Sequence, residues 1–202
     1  MLPPLLDAVF DLVSGVIAVI VSHEAAKAKS FSKEDIFLSF EVSFALLGAS
    51  NILRGLLVLS ALLTFHPLNW VRPVSALGDL VQAFVATIAY AILLWAQVKS
   101  VWSGGDAGQQ VGQIALGLAI LPFNILNTFF LLASTVFIFV RFSKDRNTNQ
   151  ALVAIGFIFL ACAHFSNVLG HMQPVLLEVE NILRLAGYLS LLVMLVRLKK
   201  KT

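Results

Sequence analysis

The 202-residue chain predicts an all-α fold, a polytopic membrane bundle of about six transmembrane helices. Three observations carry this expectation. Long apolar stretches fill nearly all of the sequence, and the connections between them are too short to hold a folded domain. Charged residues make up 12% of the chain against 59% hydrophobic residues, with a mean hydropathy of +0.91. An ordinary soluble domain is about a quarter charged. A bilayer core of about 30 Å takes roughly 20 apolar helical residues to cross. Backbone groups there must satisfy one another, which favours helices.

The stretches run Leu5–Ser22, Ile36–Phe65, Val74–Gln97, Val111–Val140, Ala151–Gly170 and Val175–Val196. The first could be mistaken for a cleaved leader. It has no basic segment ahead of it, Asp7 and Asp11 interrupt it, and no small-x-small site follows. It is therefore expected as a helix of the mature protein, with its polar side against a protein neighbour. The fourth stretch is long and holds Pro122, so a kink or strong tilt is expected there. The connections Glu24–Asp35, His66–Pro73, Val98–Gln110, Arg141–Gln150 and His171–Pro174 mostly carry Gly, Pro or Asn breakers. Trp70, Trp95 and Trp102 fall near span ends, where indole favours the interface.

Charge and cysteine content exclude several classes. The net charge of +3 comes mostly from loops and the tail, and no basic stripe with interleaved aromatics exists. No nucleic-acid partner is expected. Cys162 is the only cysteine, so one chain can build neither a disulfide framework nor a thiolate cluster. With six alternating spans, Lys27, Lys29, Lys33 and Lys99 fall on one side. Arg72, Arg141, Lys144, Arg146, Arg197, Lys199, Lys200 and Lys201 fall on the other, together with both termini. The positive-inside tendency then places both termini in the cytoplasm of a multi-pass cell-membrane protein.

Ionisable groups inside a bilayer are costly, and each is a functional candidate. Arg54 and Arg184 each end the same tetrapeptide, Asn51-Ile-Leu-Arg54 and Asn181-Ile-Leu-Arg184. At a spacing of three, Asn and Arg share one helix side. Two readings stay open. In one, the arginines are structural clamps, Arg54 served by Asp79, Asp11 or Asp7 and Arg184 by Glu180. In the other, the duplicated element builds a site for an anion or a quinone headgroup. Asn124 and Asn127, after Pro122, are expected to satisfy backbone groups freed by the kink.

The histidines give a second constellation. Under strict alternation His23, His164 and His171 approach one membrane side, together with Glu24, Glu41 and Glu178. Imidazoles and carboxylates suit a divalent metal, and two imidazoles from different helices could hold a haem. Spacing argues for a plainer role: seven residues separate His164 from His171, about 10 Å along a helix. Interfacial histidines at helix ends explain the same pattern, and no motif assigns a cofactor.

Two stretches carry a likeness. The segment Phe40-Glu-Val-Ser-Phe-Ala-Leu-Leu-Gly-Ala-Ser-Asn-Ile-Leu-Arg54 resembles the second helix of multi-pass input regions of archaeal and bacterial signal transducers. Leu169-Gly-His171 and Leu183-Arg-Leu-Ala-Gly-Tyr-Leu-Ser-Leu-Leu192 resemble their final helices. Such regions often have seven or more spans and lead into a kinase or regulatory module. The resemblance implies a sensor module whose output is carried by a separate partner protein. The leading expectation is accordingly a non-enzymatic membrane protein, a sensor-like module or an accessory subunit of a membrane complex. A metal- or haem-binding redox protein and a small transporter are the alternatives.

Overall fold

Six helices, each long and apolar enough to cross a bilayer, make up the described part of the protein. The structure is a computed structural model, and it describes residues 4–32, 35–64, 71–101, 123–145, 148–170 and 175–199. The helices are α1 (Pro4–Ser32), α2 (Asp35–Thr64), α3 (Val71–Val101), α4 (Phe123–Asp145), α5 (Thr148–Gly170) and α6 (Val175–Lys199). The expected helical membrane bundle is thus what the chain forms.

Several helices outrun the apolar stretches that announce them. After Ser22, α1 continues to Ser32 through Glu24-Ala-Ala-Lys-Ala-Lys29, where a loop was expected. Ala, Glu and Lys are strong helix formers, so the helix carries on past the end of the apolar stretch. Lys27 Nζ lies 2.8 Å from Glu24 Oε1, supporting that extension. In the same way α3 runs on to Val101.

Each helix packs on its neighbours in sequence, and α6 closes the ring against α1. Outward faces carry Leu63, Leu77, Val136, Phe165 and Ile182, all more than half exposed. In a bilayer these meet acyl chains. Small residues let backbones touch within two hairpins. A Cβ on Gly48 would stand 3.0 Å from the Gly15 carbonyl oxygen, and one on Gly187 would stand 3.0 Å from that of Gly156. Neither approach leaves room for a side chain, the usual use of glycine between membrane helices. Serines add interhelical bonds: Ser22 Oγ donates to the Glu41 carbonyl at 2.8 Å, Ser43 Oγ to Ala89 at 2.9 Å, and Ser190 Oγ to Leu152 at 2.9 Å.

Helix directions depart from strict alternation. The starts of α1, α3, α4 and α6 gather with the ends of α2 and α5 around one cavity, at what we term the polar end. At the other, basic end, a smaller pocket gathers the starts of α2 and α5 with the ends of α3, α4 and α6. Consequently α3 and α4 run parallel. Phe84 meets Phe123 edge-on at 6.0 Å, and Thr87 Oγ1 donates to Asn127 Oδ1 at 2.8 Å, so rising numbers pair with rising numbers. Val101 closes α3 at the basic end and Phe123 opens α4 at the polar end.

This corrects the expectation that the two chain ends share a side, because α1 begins at the polar end and α6 finishes at the basic end. It also divides the expected stretch Val111–Val140. Only the part from Phe123 belongs to α4, and Pro122 with its expected kink lies outside the described residues.

Candidate functional site

The two halves of the bundle differ in chemistry. Toward the basic end the interior is filled by Phe40, Phe44, Leu93, Phe157, Leu160, Leu191 and Leu195. Phe40 stacks on Phe157 at 6.0 Å, and Phe44 meets Tyr188 edge-on at 5.9 Å. Toward the polar end a cavity of about 340 Å³ opens, lined from all six described helices. Its wall carries Asp7, Asn51, Arg54, Asp79, Gln82, Tyr90, Asn124, His164, Asn167, Glu180, Asn181, Arg184 and Tyr188. Asp79, with its side chain 54% exposed, stands at the rim.

Ion pairs tie the repeated tetrapeptides to a single carboxylate. Arg54 Nη1 pairs with Asp11 Oδ2, and Arg184 Nη2 lies 3.0 Å from Asp11 Oδ1. The Asp11 side chain is fully buried, and α1 packs between α2 and α6. Arg54 also reaches the rim, with Nε 2.5 Å from Asp79 Oδ1. Of the expected partners, Asp11 and Asp79 therefore serve Arg54. Arg184 takes Asp11 rather than the expected Glu180, because Glu180 turns to α5 and accepts from Asn167 Nδ2 at 2.6 Å.

Amide groups arrange the remaining polar atoms into directed chains. Asn124 Nδ2 donates to Asn167 Oδ1 at 2.7 Å, which leaves Asn124 Oδ1 facing His164 Nδ1 at 3.3 Å. A carbonyl oxygen only accepts, so Nδ1 carries the imidazole proton and Nε2 accepts from the Tyr90 hydroxyl at 3.1 Å. One sequence of donors runs Tyr90, His164, Asn124, Asn167 and ends on Glu180. A second runs from Arg184 Nη2 to Asn181 Oδ1 at 2.5 Å and from Asn181 Nδ2 to Asp7 Oδ1 at 3.3 Å. A third joins Gln82 Nε2 to Asn51 Oδ1 and Asn51 Nδ2 to the Tyr188 hydroxyl at 3.3 Å. Such chains reinforce themselves in a low-dielectric interior. Asn124 and Asn127 thus bond other helices, and the backbone groups expected to be freed at Pro122 lie outside the described residues.

Every intramembrane polar residue singled out in the sequence, Asn51, Arg54, Asp79, Glu180, Asn181 and Arg184, lines this one cavity. The histidine constellation does not assemble. Ser22 bonds the start of α2, so His23 and Glu41 belong to the basic end, whereas His164 lies in the polar cavity and Glu178 in the first turn of α6. Antiparallel α1 and α5 separate them, contrary to the parallel arrangement expected, and His171 lies outside the described residues. Among the described residues no His, Cys, Asp and Glu group of three or more could hold a metal ion.

Gln82, Tyr90 and Tyr188 escaped the sequence reading, since Tyr and Gln near helix middles are common packing residues. Their signal was relational: Tyr188 lies one turn beyond Arg184, and Gln82 three residues beyond Asp79. Comparison with protein-family models, curated proteins and solved structures finds no match.

Proposed function

We propose that this protein is a non-enzymatic, sensor-like membrane module that takes a small polar ligand from the non-cytoplasmic face and passes the bound state to a partner protein. The observation that carries this reading is the cavity, charged and amide-lined at one end and closed below by packed aromatic side chains. A cup of this shape suits binding more than passage. The resemblance of Phe40–Arg54 and Leu183–Leu192 to transducer input helices agrees with it.

Orientation follows from the helix directions. Lys27, Lys29, Lys99, Arg141, Lys144, Arg197 and Lys199 all belong to the basic end by their places in the helices. Against them, among the described residues, the polar end has Arg72 alone beyond the buried arginines. Positive charge is retained in the cytoplasm. On this reading the basic end is cytoplasmic and the cup faces outward.

Affinity purification from the native membrane in mild detergent tests the sensor-like role. A stable protein partner in constant ratio is the expected result. Recovery of the chain alone, monodisperse and unpartnered, would contradict it.

A further inference from the structure

We infer that the ligand of the cup is a small zwitterion, with an ammonium group and an anionic group a few bonds apart. This deepens the binding role proposed above and rests on it. The cavity wall holds two guanidinium groups, Arg54 and Arg184, and three carboxylates, Asp7, Asp79 and Glu180, with Asp11 buried behind the arginines. Arg54 occupies Asp11 and Asp79, and Arg184 shares Asp11. That leaves Asp7 and Glu180 in no ion pair among the described residues, each receiving one amide N–H. Carboxylates in a membrane interior call for a cationic partner. An ammonium supplies it.

A second observation lies on the same helix. Arg184, 6% exposed, lines the cavity and keeps its Nε–H without a hydrogen-bond partner among the described residues. Glu180 and Arg184 are one helical turn apart, about 5–6 Å between Cβ atoms. Each bonds elsewhere, Glu180 to Asn167 and Arg184 to Asn181 and Asp11. Together they present a negative and a positive group side by side to one space. The complement of that pair is a molecule bearing both charges at short separation. A free amino acid has this chemistry, and so does an aminophospholipid headgroup.

Binding to the purified full-length protein in nanodiscs, read by calorimetry, tests the proposal with alanine, ethylammonium and acetate as probes. Alanine is expected to bind about tenfold or more tightly than either singly charged probe. Glu180→Gln and Asp7→Asn keep shape and an acceptor oxygen, and each is expected to weaken alanine binding about tenfold or more. Nanodiscs with and without phosphatidylethanolamine separate the sources. Stabilisation by that lipid with no response to alanine assigns the same chemistry to a headgroup. Equal response to alanine and to one singly charged probe would overturn the zwitterion and leave the cup a binding site. So would unchanged alanine affinity in both variants. No response to any probe or lipid also overturns it. The cup itself fails separately, if a cysteine placed at Ser75 cannot be labelled from outside.

Discussion

Asp11 is the residue on which the two halves of the repeat converge. It is fully buried and balances Arg54 and Arg184 at once, whereas Asp79 pairs with Arg54 while half exposed. Removing one partner from a buried ion pair costs about 3–5 kcal/mol, because the remaining charge is left uncompensated. Exposed pairs contribute about 0–1 kcal/mol. Thermal unfolding in detergent should therefore show Asp11→Asn strongly destabilised and Asp79→Asn close to wild type. Equal losses would mean that the buried bridge is not the organising contact. The six intramembrane residues were legible because polar groups in apolar stretches stand out. Arg54 takes two of its expected partners, Asp11 and Asp79, but the pairing of Arg184 was not legible. Whether Arg184 meets Asp11 or Glu180 depends on helix rotation, which a run of Leu and Gly leaves undetermined.

At the scale of the helix, hydropathy located the elements and misplaced their ends. It stopped α1 at Ser22, although the helix continues through Lys29 to Ser32. It also treated the 30 residues Val111–Val140 as one span, well over the roughly 20 that a crossing takes. Length did not signal that α4 begins later, at Phe123, because the stretch Ile36–Phe65 is equally long and forms a single helix as far as Thr64. The resulting parallel pair, α3 and α4, is directly testable. Cysteines at Phe84 and Phe123, whose rings lie 6.0 Å apart, should cross-link with a short bifunctional thiol reagent in a Cys162→Ala background. A Phe84→Cys and Phe139→Cys pair should not, since Phe139 lies toward the opposite end of α4. The reverse pattern would restore the alternating order and separate Thr87 from Asn127.

For the molecule as a whole, strict alternation placed both ends of the chain on one side and divided the basic residues eight to four. The parallel pair moves Arg141, Lys144, Arg197 and Lys199 to the same end as Lys27, Lys29 and Lys99. A mixed charge distribution becomes a strongly one-sided one, with the polar cup at the end poorer in cations. The same change of direction explains why His23 and His164 do not meet. Fold class was plain in the composition; topology depended on which way a single segment crosses.

The most direct test places one cysteine at Ser75, on the cavity wall, and another at Lys200, each in a Cys162→Ala background. Intact cells are then treated with a membrane-impermeant thiol reagent. Labelling of the Ser75 position from outside, with the Lys200 position reached only after permeabilisation, is the expected result. Labelling of the Lys200 position in intact cells, or protection of both, would contradict an outward-facing polar cup above a cytoplasmic basic end.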